Sequence, residues 1–272
     1  MSIYKKLLKD KIKNTIKYPF YSVYRRRLEK AVRNSESPKH IGIILDGNRR
    51  YAQGKGLFKA VEGHAHGADK VHELLRWCYE YDVSVITIWI FSLDNFKRDE
   101  EEVDGLFKLI EKRTRTLVAD PEIHEKKVRI NYIGRTELLP DSLQDAIAQA
   151  ERETGHYDRL VLNIAIAYGG REEITDAMGR YLKDCEKKGL SLDEISDSVD
   201  PGTLEPYLYT VGLPEPDLII RTSGEIRLSG FLLWQSAYAE YYFSDVLWPE
   251  FRKIDFLRAL RMYSKRQRRF GK

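Results

Sequence analysis

From His40 onward the chain alternates short apolar runs with longer stretches whose apolar residues recur at helical spacing. The strand-like runs cover 41–45, 83–91, 128–133, 160–167, 218–220 and 241–243. They are rich in Val, Ile and aromatic residues, and several are apolar throughout, as strands covered on both faces should be. Between them, Val71, Leu74, Leu75 and Cys78 fall at i, i+3, i+4 and i+7, one face of a helix in the segment that begins near Gly63. Val103, Leu106, Ile110 and Leu117 make a similar stripe in the next helix. Asp141 and Glu172 stand near helix starts, and Gly155 and Gly189 near helix ends. This order predicts a single α/β domain over residues 40–272, with a largely parallel central sheet flanked by helices. No internal repeat interrupts it.

Residues 1–39 read differently. They mix Lys and Arg with Ile, Leu, Tyr and Phe, are divided at Tyr18-Pro19, and break at 35–38. Two readings stand: a surface helix packed on its own domain, or a basic amphipathic arm touching an anionic membrane surface.

Composition narrows the field. A formal net charge of +4 across 272 residues is nearly balanced, which argues against a nucleic-acid coat and confines any basic function to a local patch. The two cysteines, Cys78 and Cys185, lie far apart with no CxxC spacing and read as buried thiols in a reducing compartment. No apolar run approaches the roughly 20 residues of a membrane span. The expected location is cytoplasmic, with peripheral membrane contact through the arm as the alternative.

In a parallel sheet, ligands collect beyond the carboxyl ends of the strands. The first run ends in Asp46-Gly47-Asn48-Arg49-Arg50, the second in Ser92-Leu93-Asp94-Asn95-Phe96-Lys97-Arg98, and the fifth in Arg221-Thr222-Ser223-Gly224-Glu225-Ile226-Arg227-Leu228-Ser229. One arginine at a strand end is usually a surface ion pair. Three strand ends delivering arginines with small hydrogen-bonding partners describe a cleft for more than one phosphate-like group. No GxxxxGK[ST] is present and no GxGxxG follows a strand. The Gly-Asn turn after Asp46 can present successive amide N–H groups to anionic oxygens. Asp46 itself would repel a polyphosphate unless a hard cation sat between them, and Mg²⁺ takes one or two carboxylates plus phosphate oxygens. Glu240, which ends the apolar stretch "FLLWQSAYAE", is the candidate second carboxylate, since a bare acid there would be costly. His64 and His66 resemble an HxH zinc pair, but residues two apart on a helix do not face each other, and no cysteine is near. His64 suits a donor to an anionic substrate. No GxSxG or cysteine among basic groups supports covalent catalysis.

Several long motifs in order resemble the cis-prenyltransferases, the undecaprenyl diphosphate synthase-like enzymes. They are "HIGIILDGNRRYA", "FSLDNFKR", "NIAIAYGGR", "RTSGEIRLSGFLLWQSAYAEYYFSDVLWPEF" and the terminal "RRFGK", and together they span about 40–271. The resemblance implies an apolar tunnel beside the sheet and condensation of isopentenyl diphosphate with an allylic diphosphate, with a new cis double bond. It implies that Asp46 holds Mg²⁺ together with Glu240, and that Gly47, Asn48, Arg49, Arg50 and Tyr51 surround the allylic diphosphate, with Lys59 and His64 behind. Isopentenyl diphosphate would meet Arg221, Arg227 and Ser229, since the arginine fork grips phosphate oxygens in two places. Ser92, Asn95, Phe96 and Arg98 match the family's loop, where the asparagine is tied to proton removal. Asparagine is a poor base, so Asn95 reads as a positioner, with diphosphate or Asp46 as acceptor. Arg269 and Gly271 match a terminal RxG that reaches a partner subunit's site, which implies a homodimer.

Two departures stand out. Lys59 replaces the arginine of many relatives, and one extra residue lies between Ala52 and His64. The helix over 101–117 carries Lys108, Lys112, Arg113 and Arg115 beside its apolar stripe. One of these turned inward would shorten the product. Chain length and regiochemistry stay open, because some relatives join prenyl units differently. Two other classes are weighed against catalysis: a non-catalytic prenyltransferase-like partner subunit, which would lose the carboxylate and arginines retained here, and a nucleotide-binding α/β protein, for which no adenine or ribose signature is present.

Overall fold

The computed structural model describes residues 22–266. In chain order they form helix α1 (22–33), strand β1 (His40–Ile44), α2 (Asn48–Lys55), α3 (Ala60–Glu80), β2 (Val85–Trp89) and α4 (Glu100–Val118). The short α5 (Pro121–Glu125), β3 (Val128–Ile133), α6 (Asp141–Thr154), β4 (Leu160–Ala165) and α7 (Gly170–Lys187) follow. The chain continues through the short α8 (Leu192–Ser198) and α9 (Pro201–Leu204), β5 (Leu218–Arg221), β6 (Glu240–Phe243) and α10 (Lys253–Arg266).

The six strands make one sheet in the order β3-β4-β2-β1-β5-β6, and every pairing in it is parallel. The expected helix-flanked α/β sheet is what forms. β1 and β4 are buried along their whole length, which is why their sequences lack the polar alternation of a half-exposed strand. The run read as a strand over 83–91 pairs only from Val85 to Trp89. Val83 and Phe91 are both core residues, so their apolar character reports burial and not strand pairing.

Polar groups also cross this interior. Asn131, Asn163 and Thr87 are register partners on β3, β4 and β2. Asn131 Nδ2 donates to Asn163 Oδ1 (3.1 Å), and Asn163 Nδ2 donates to Thr87 Oγ1 (3.2 Å). His40 Nε2 continues the row to Thr87 Oγ1 (2.8 Å), while its Nδ1 lies 2.6 Å from the carbonyl of Pro214. Each buried polar atom in such a row needs its neighbour, because an unpaired one carries its full desolvation cost.

The chain divides into two compact units. Residues 38–251 contain the whole sheet. The described part of the other unit is 22–37 and 252–266, so α10, expected within a domain over 40–272, groups instead with α1. In that unit Lys253 Nζ is 3.8 Å from Glu29, and Arg258 lies over the Tyr24 ring. α1 ends where Ser35 Oγ donates to the carbonyl of Val32 (2.8 Å), at the break expected around 35–38. Residues 1–21 of the expected arm, with Arg269 and Gly271, lie outside the described residues.

Burial lowers the His40 pKa from 6.5 to about 4, against the opposing pull of Pro214 and Asp217. The folded state therefore favours the neutral ring, and the unfolded chain binds the proton first. Stability should fall as pH drops from 6.5 towards 4, by up to about 3 kcal/mol from this group. Denaturant unfolding across that window checks it, and a stability unchanged between its two ends would remove His40 as the cause.

Candidate active site

The strand order places a topological switch at β1. The chain leaves β1 towards β2 on one side and later returns with β5 on the other, which opens a crevice between the carboxyl ends of β1 and β5. Asp46 follows β1 by two residues, and Arg221 is the last residue of β5. Their side chains meet there: Arg221 Nη2 lies 2.8 Å from Asp46 Oδ2. Arg221 Nη1 donates to Ser229 Oγ (2.8 Å) and to the carbonyl of Arg227 (2.6 Å). The arginine is 5% exposed and the aspartate 33%, so the pair sits at the floor of the crevice with the acid facing outward. Burial alone would raise the Asp46 pKa, but the Arg221 guanidinium and the Gly47 N–H outweigh it and hold the carboxyl below its ordinary value.

Gly47 makes the turn from β1 into α2. Its φ of 106° is left-handed, and a Cβ there would stand 2.8 Å from Leu247 Cδ2. Its N–H bonds Asp46 Oδ1 at 2.7 Å. The turn aims the first N–H groups of α2 at the crevice, and helix geometry leaves those donors without intrahelical partners. No acid occupies the first turn of α2, so the field there is positive.

Two glycines set the next wall. A Cβ on Gly63 would stand 2.2 Å from the Asn48 carbonyl, and one on Gly67 would stand 2.3 Å from Asn48 Oδ1. The i, i+4 pair in "EGHAHG" thus lets α3 lie directly against α2. His64 is carried between them, with Nε2 buried and without a hydrogen-bond partner among the described residues, as is Asn48 Oδ1. Burial first, and then Arg98 and Arg49, lower the His64 pKa from 6.5 to about 4. His66 turns the other way and meets the Tyr51 ring edge-on at 5.5 Å.

Asp46, Gly47, Asn48, Arg49, Arg50, His64, Ser92, Asn95, Arg98, Arg221 and Ser229 line one cavity of about 490 Å³. The three strand ends are brought together as the motifs suggest. Asp46 is the only carboxylate among the described lining residues. The Asn95 amide oxygen accepts from the Ser92 N–H (3.0 Å), so its side chain is held in place by the loop itself. Trp89, Gln53 and Phe91 also line the cavity, which the sequence reading did not foresee.

Other expected residues fall elsewhere. Tyr51 and Phe96 are not among the lining residues; Phe96 packs on Phe91 and Phe107. Lys59 precedes α3 and pairs with Glu101 at 3.1 Å, both well exposed. Arg227 points its side chain to Glu225 and offers only its carbonyl to Arg221. Glu240 opens β6 opposite Leu218, whereas Arg221 and Phe243 stand level at the carboxyl edge. Three residues of strand, about 10 Å, separate Glu240 from that edge, so within one chain it does not join Asp46 in a metal site. Two acids were missed. Glu102 holds Arg98 (3.0 Å) and Arg49 (3.7 Å), and Glu225 holds Arg50 (3.3 Å) as well as Arg227. Only the i, i+4 spacing of Arg98 and Glu102 was there to find the first.

Beneath the polar cavity lies an apolar one of about 110 Å³ between α3, α4 and the sheet, lined by residues that include Val71, Ile88, Leu106, Ile110, Leu117 and Ile164. Leu45, Asn48, His64 and Ile90 line both. Where the resemblance implies a tunnel beside the sheet, the structure has this apolar pocket, which shares those four wall residues with the polar crevice.

The family model described as "Putative undecaprenyl diphosphate synthase" matches residues 44–271. An "Isoprenyl transferase" of Thermus thermophilus is 52% identical over 254 residues, covering 93% of this chain and 96% of that protein. The chain belongs to the cis-prenyltransferase family. A "(2Z,6E)-farnesyl diphosphate synthase" of Thermobifida fusca is 49% identical, covering 94% of this chain and 98% of its own. Among solved structures, lavandulyl diphosphate synthase from Lavandula x intermedia in complex with dimethylallyl diphosphate superposes with a TM-score of 0.77 at 35% identity, covering 85% of this chain and 96% of that one. This cis-prenyltransferase is an enzyme that transfers prenyl groups. No helix among its described residues is long and apolar enough to cross a membrane.

With a pKa near 4, the His64 ring should stay neutral in the free enzyme well below pH 6.5. Ring-proton NMR titration checks this, and a midpoint at 6.5 would mean that the ring is solvated and not enclosed.

Proposed function

We propose that this enzyme is a Mg²⁺-dependent transferase that condenses isopentenyl diphosphate with an allylic diphosphate to give a Z-prenyl diphosphate. The observation that carries the reading is the shared wall of Leu45, Asn48, His64 and Ile90, which joins an arginine-lined crevice to an apolar pocket. A diphosphate head bonded to a hydrocarbon tail is the ligand class that fits both halves at once.

The residues present fit the metal. Asp46 is held ionised at the crevice floor, one-third exposed, and a Mg²⁺ site built on one carboxylate, substrate phosphate oxygens and water suits the ion's preference. When bound, Mg²⁺ neutralises charge that gathers on the departing diphosphate. The Arg221 guanidinium already occupies one face of the carboxylate, so the ion would approach its open face.

Arg49, Arg50, Asn48 and the N–H groups at the start of α2 would grip the allylic diphosphate. Because they are fixed before the C–O bond breaks, they stabilise the charge that develops as it leaves. His64, kept neutral, offers a hydrogen bond without adding a charge that must be neutralised in the free enzyme. Arg221 and Ser229 would hold isopentenyl diphosphate across the crevice, with Arg227 at its outer edge. As the new C–C bond forms, a proton must leave the isopentenyl unit. Asn95 is engaged by the Ser92 N–H and Asp46 by Arg221 and Gly47, so the departing diphosphate is the better acceptor. Asn95 orients the loop. A homodimer that shares sites through Arg269 and Gly271, a cytoplasmic enzyme, and contact of residues 1–39 with a membrane surface complete the reading.

Incubation with labelled isopentenyl diphosphate and a set of allylic primers, with and without Mg²⁺, should give a longer prenyl diphosphate only with the metal. No product with any primer would favour the partner-subunit reading. Asp46→Ala should lower turnover about a hundredfold or more in a chain that still folds but with a lowered thermal midpoint, because the buried Arg221 guanidinium loses its partner. Undiminished turnover would remove Asp46 from the chemistry. Arg227→Ala should raise KM for isopentenyl diphosphate more than for the allylic primer. Equal effects on both would mean that the two subsites have been assigned the wrong way round. Removing 269–272 should reduce activity without unfolding the chain; full activity would leave that tail without a role in the site.

A further inference from the structure

Four basic residues lie on or beside the face of α4 that closes the apolar pocket. Lys108, Lys112 and Arg115 are exposed, whereas Arg113 lines the pocket. It is the only arginine, lysine or acid among the described lining residues. Its Nη2 bonds Asp69 on α3 at 2.8 Å and approaches the Ala65 carbonyl at 3.5 Å, so the side chain bridges the two helices that form opposite walls. Its Nε is buried and has no hydrogen-bond partner among the described residues.

We propose that Arg113 sets the length of prenyl chain that the pocket accepts, and with it the length of the product; the proposal rests on the prenyltransferase reading of the crevice. A hydrocarbon tail advancing down the pocket meets Leu106, Leu109 and Ile110 at no polar cost. At Arg113 it comes against a buried N–H donor, and passing it would seal that donor further from water with nothing to accept from it. The Asp69 contact keeps the guanidinium from swinging fully into solvent, so the barrier persists in the loaded enzyme. Position gives the scale. Glu102 marks the diphosphate level because it pairs with Arg98 and Arg49 of the crevice. From Glu102 to Arg113 the helix rises about 16 Å, roughly the extended length of three isoprene units. The structure therefore points to a short-chain product of three units, with growth beyond that disfavoured.

The test compares the full-length enzyme with Arg113→Met, which keeps an unbranched stem as far as the Nε position and removes the charge and donors, and with Arg113→Lys, which keeps the charge. Binding of prenyl diphosphates with two, three, four and five isoprene units is measured by calorimetry, beside product sizing with isopentenyl diphosphate and a short primer. The unaltered enzyme should bind the four-unit compound about tenfold more weakly than the three-unit one, and should release mainly three-unit product. Arg113→Met should erase that gap and shift products to four units or more, while Arg113→Lys keeps the original preference. Thermal unfolding checks each variant, and Arg113→Leu serves if Met does not fold. An active Arg113→Met enzyme with unchanged length preference overturns the role of Arg113 alone. If the unaltered chain bound none of the prenyl diphosphates, the reading of the crevice would fail as well.

Discussion

The head of the sheet depends on the Asp46–Arg221 ion pair. A guanidinium that is 5% exposed is costly unless its donors are answered. Here Asp46, Ser229 and the Arg227 carbonyl answer its Nη groups, while its Nε is buried without a hydrogen-bond partner among the described residues. The pair joins residues 175 apart in sequence across the β1–β5 crevice. It also bears on the protonation state of Asp46, the one carboxylate among the described residues lining the cavity, because Arg221 holds its carboxyl below the ordinary value despite partial burial. Thr222 reinforces the same junction: its hydroxyl receives the Asp46 N–H and donates to the Asp46 carbonyl. The loop that carries Gly47 and α2 is therefore pinned to β5 from both its side chain and its backbone, and the donors of α2 inherit that orientation.

Much of this was readable beforehand because parallel strands buried on both faces leave uninterrupted apolar runs, and because function in such sheets gathers at their carboxyl ends. Asp46, Arg50, Asn95, Arg98 and Arg221 followed from that single rule. Position along the chain could not say which way a flexible side chain turns. Lys59 looked suited to the crevice, but it sits just before α3 beside Glu101 and pairs outward. Glu240 looked expensive in its apolar context, yet the register of β6 sets it at the wrong end of the sheet for Asp46. Glu102 and Glu225 were invisible as site residues because each derives its role from arginines contributed by other segments. The grouping of α10 with α1 likewise depends on long-range packing, for which the local pattern holds no signal.

The helix α4 illustrates how one element serves two environments. Its start supplies Glu102, which steadies Arg98 and Arg49 at the crevice, and its middle supplies the apolar stripe of the pocket. Its buried stripe of Val103, Leu106, Phe107, Thr114 and Leu117 keeps the helical spacing expected of it. Thr114, at the far wall, meets the Tyr132 hydroxyl at 2.6 Å, so these two hydroxyls are paired with each other. Arg113 Nε, like Asn48 Oδ1 and His64 Nε2 in the same wall, is buried without a hydrogen-bond partner among the described residues.

Asn48 and His64 stand in the walls of both cavities, and the closeness of α2 to α3 through Gly63 and Gly67 leaves them no room to serve one without the other. On the proposed reading of the two cavities, head-group recognition and chain capacity form a linked trait. A lineage drifting towards a new substrate would then not retune a hold on phosphates at these positions and leave the hydrocarbon chamber as it was. Independent change has to come from residues that belong to one chamber only.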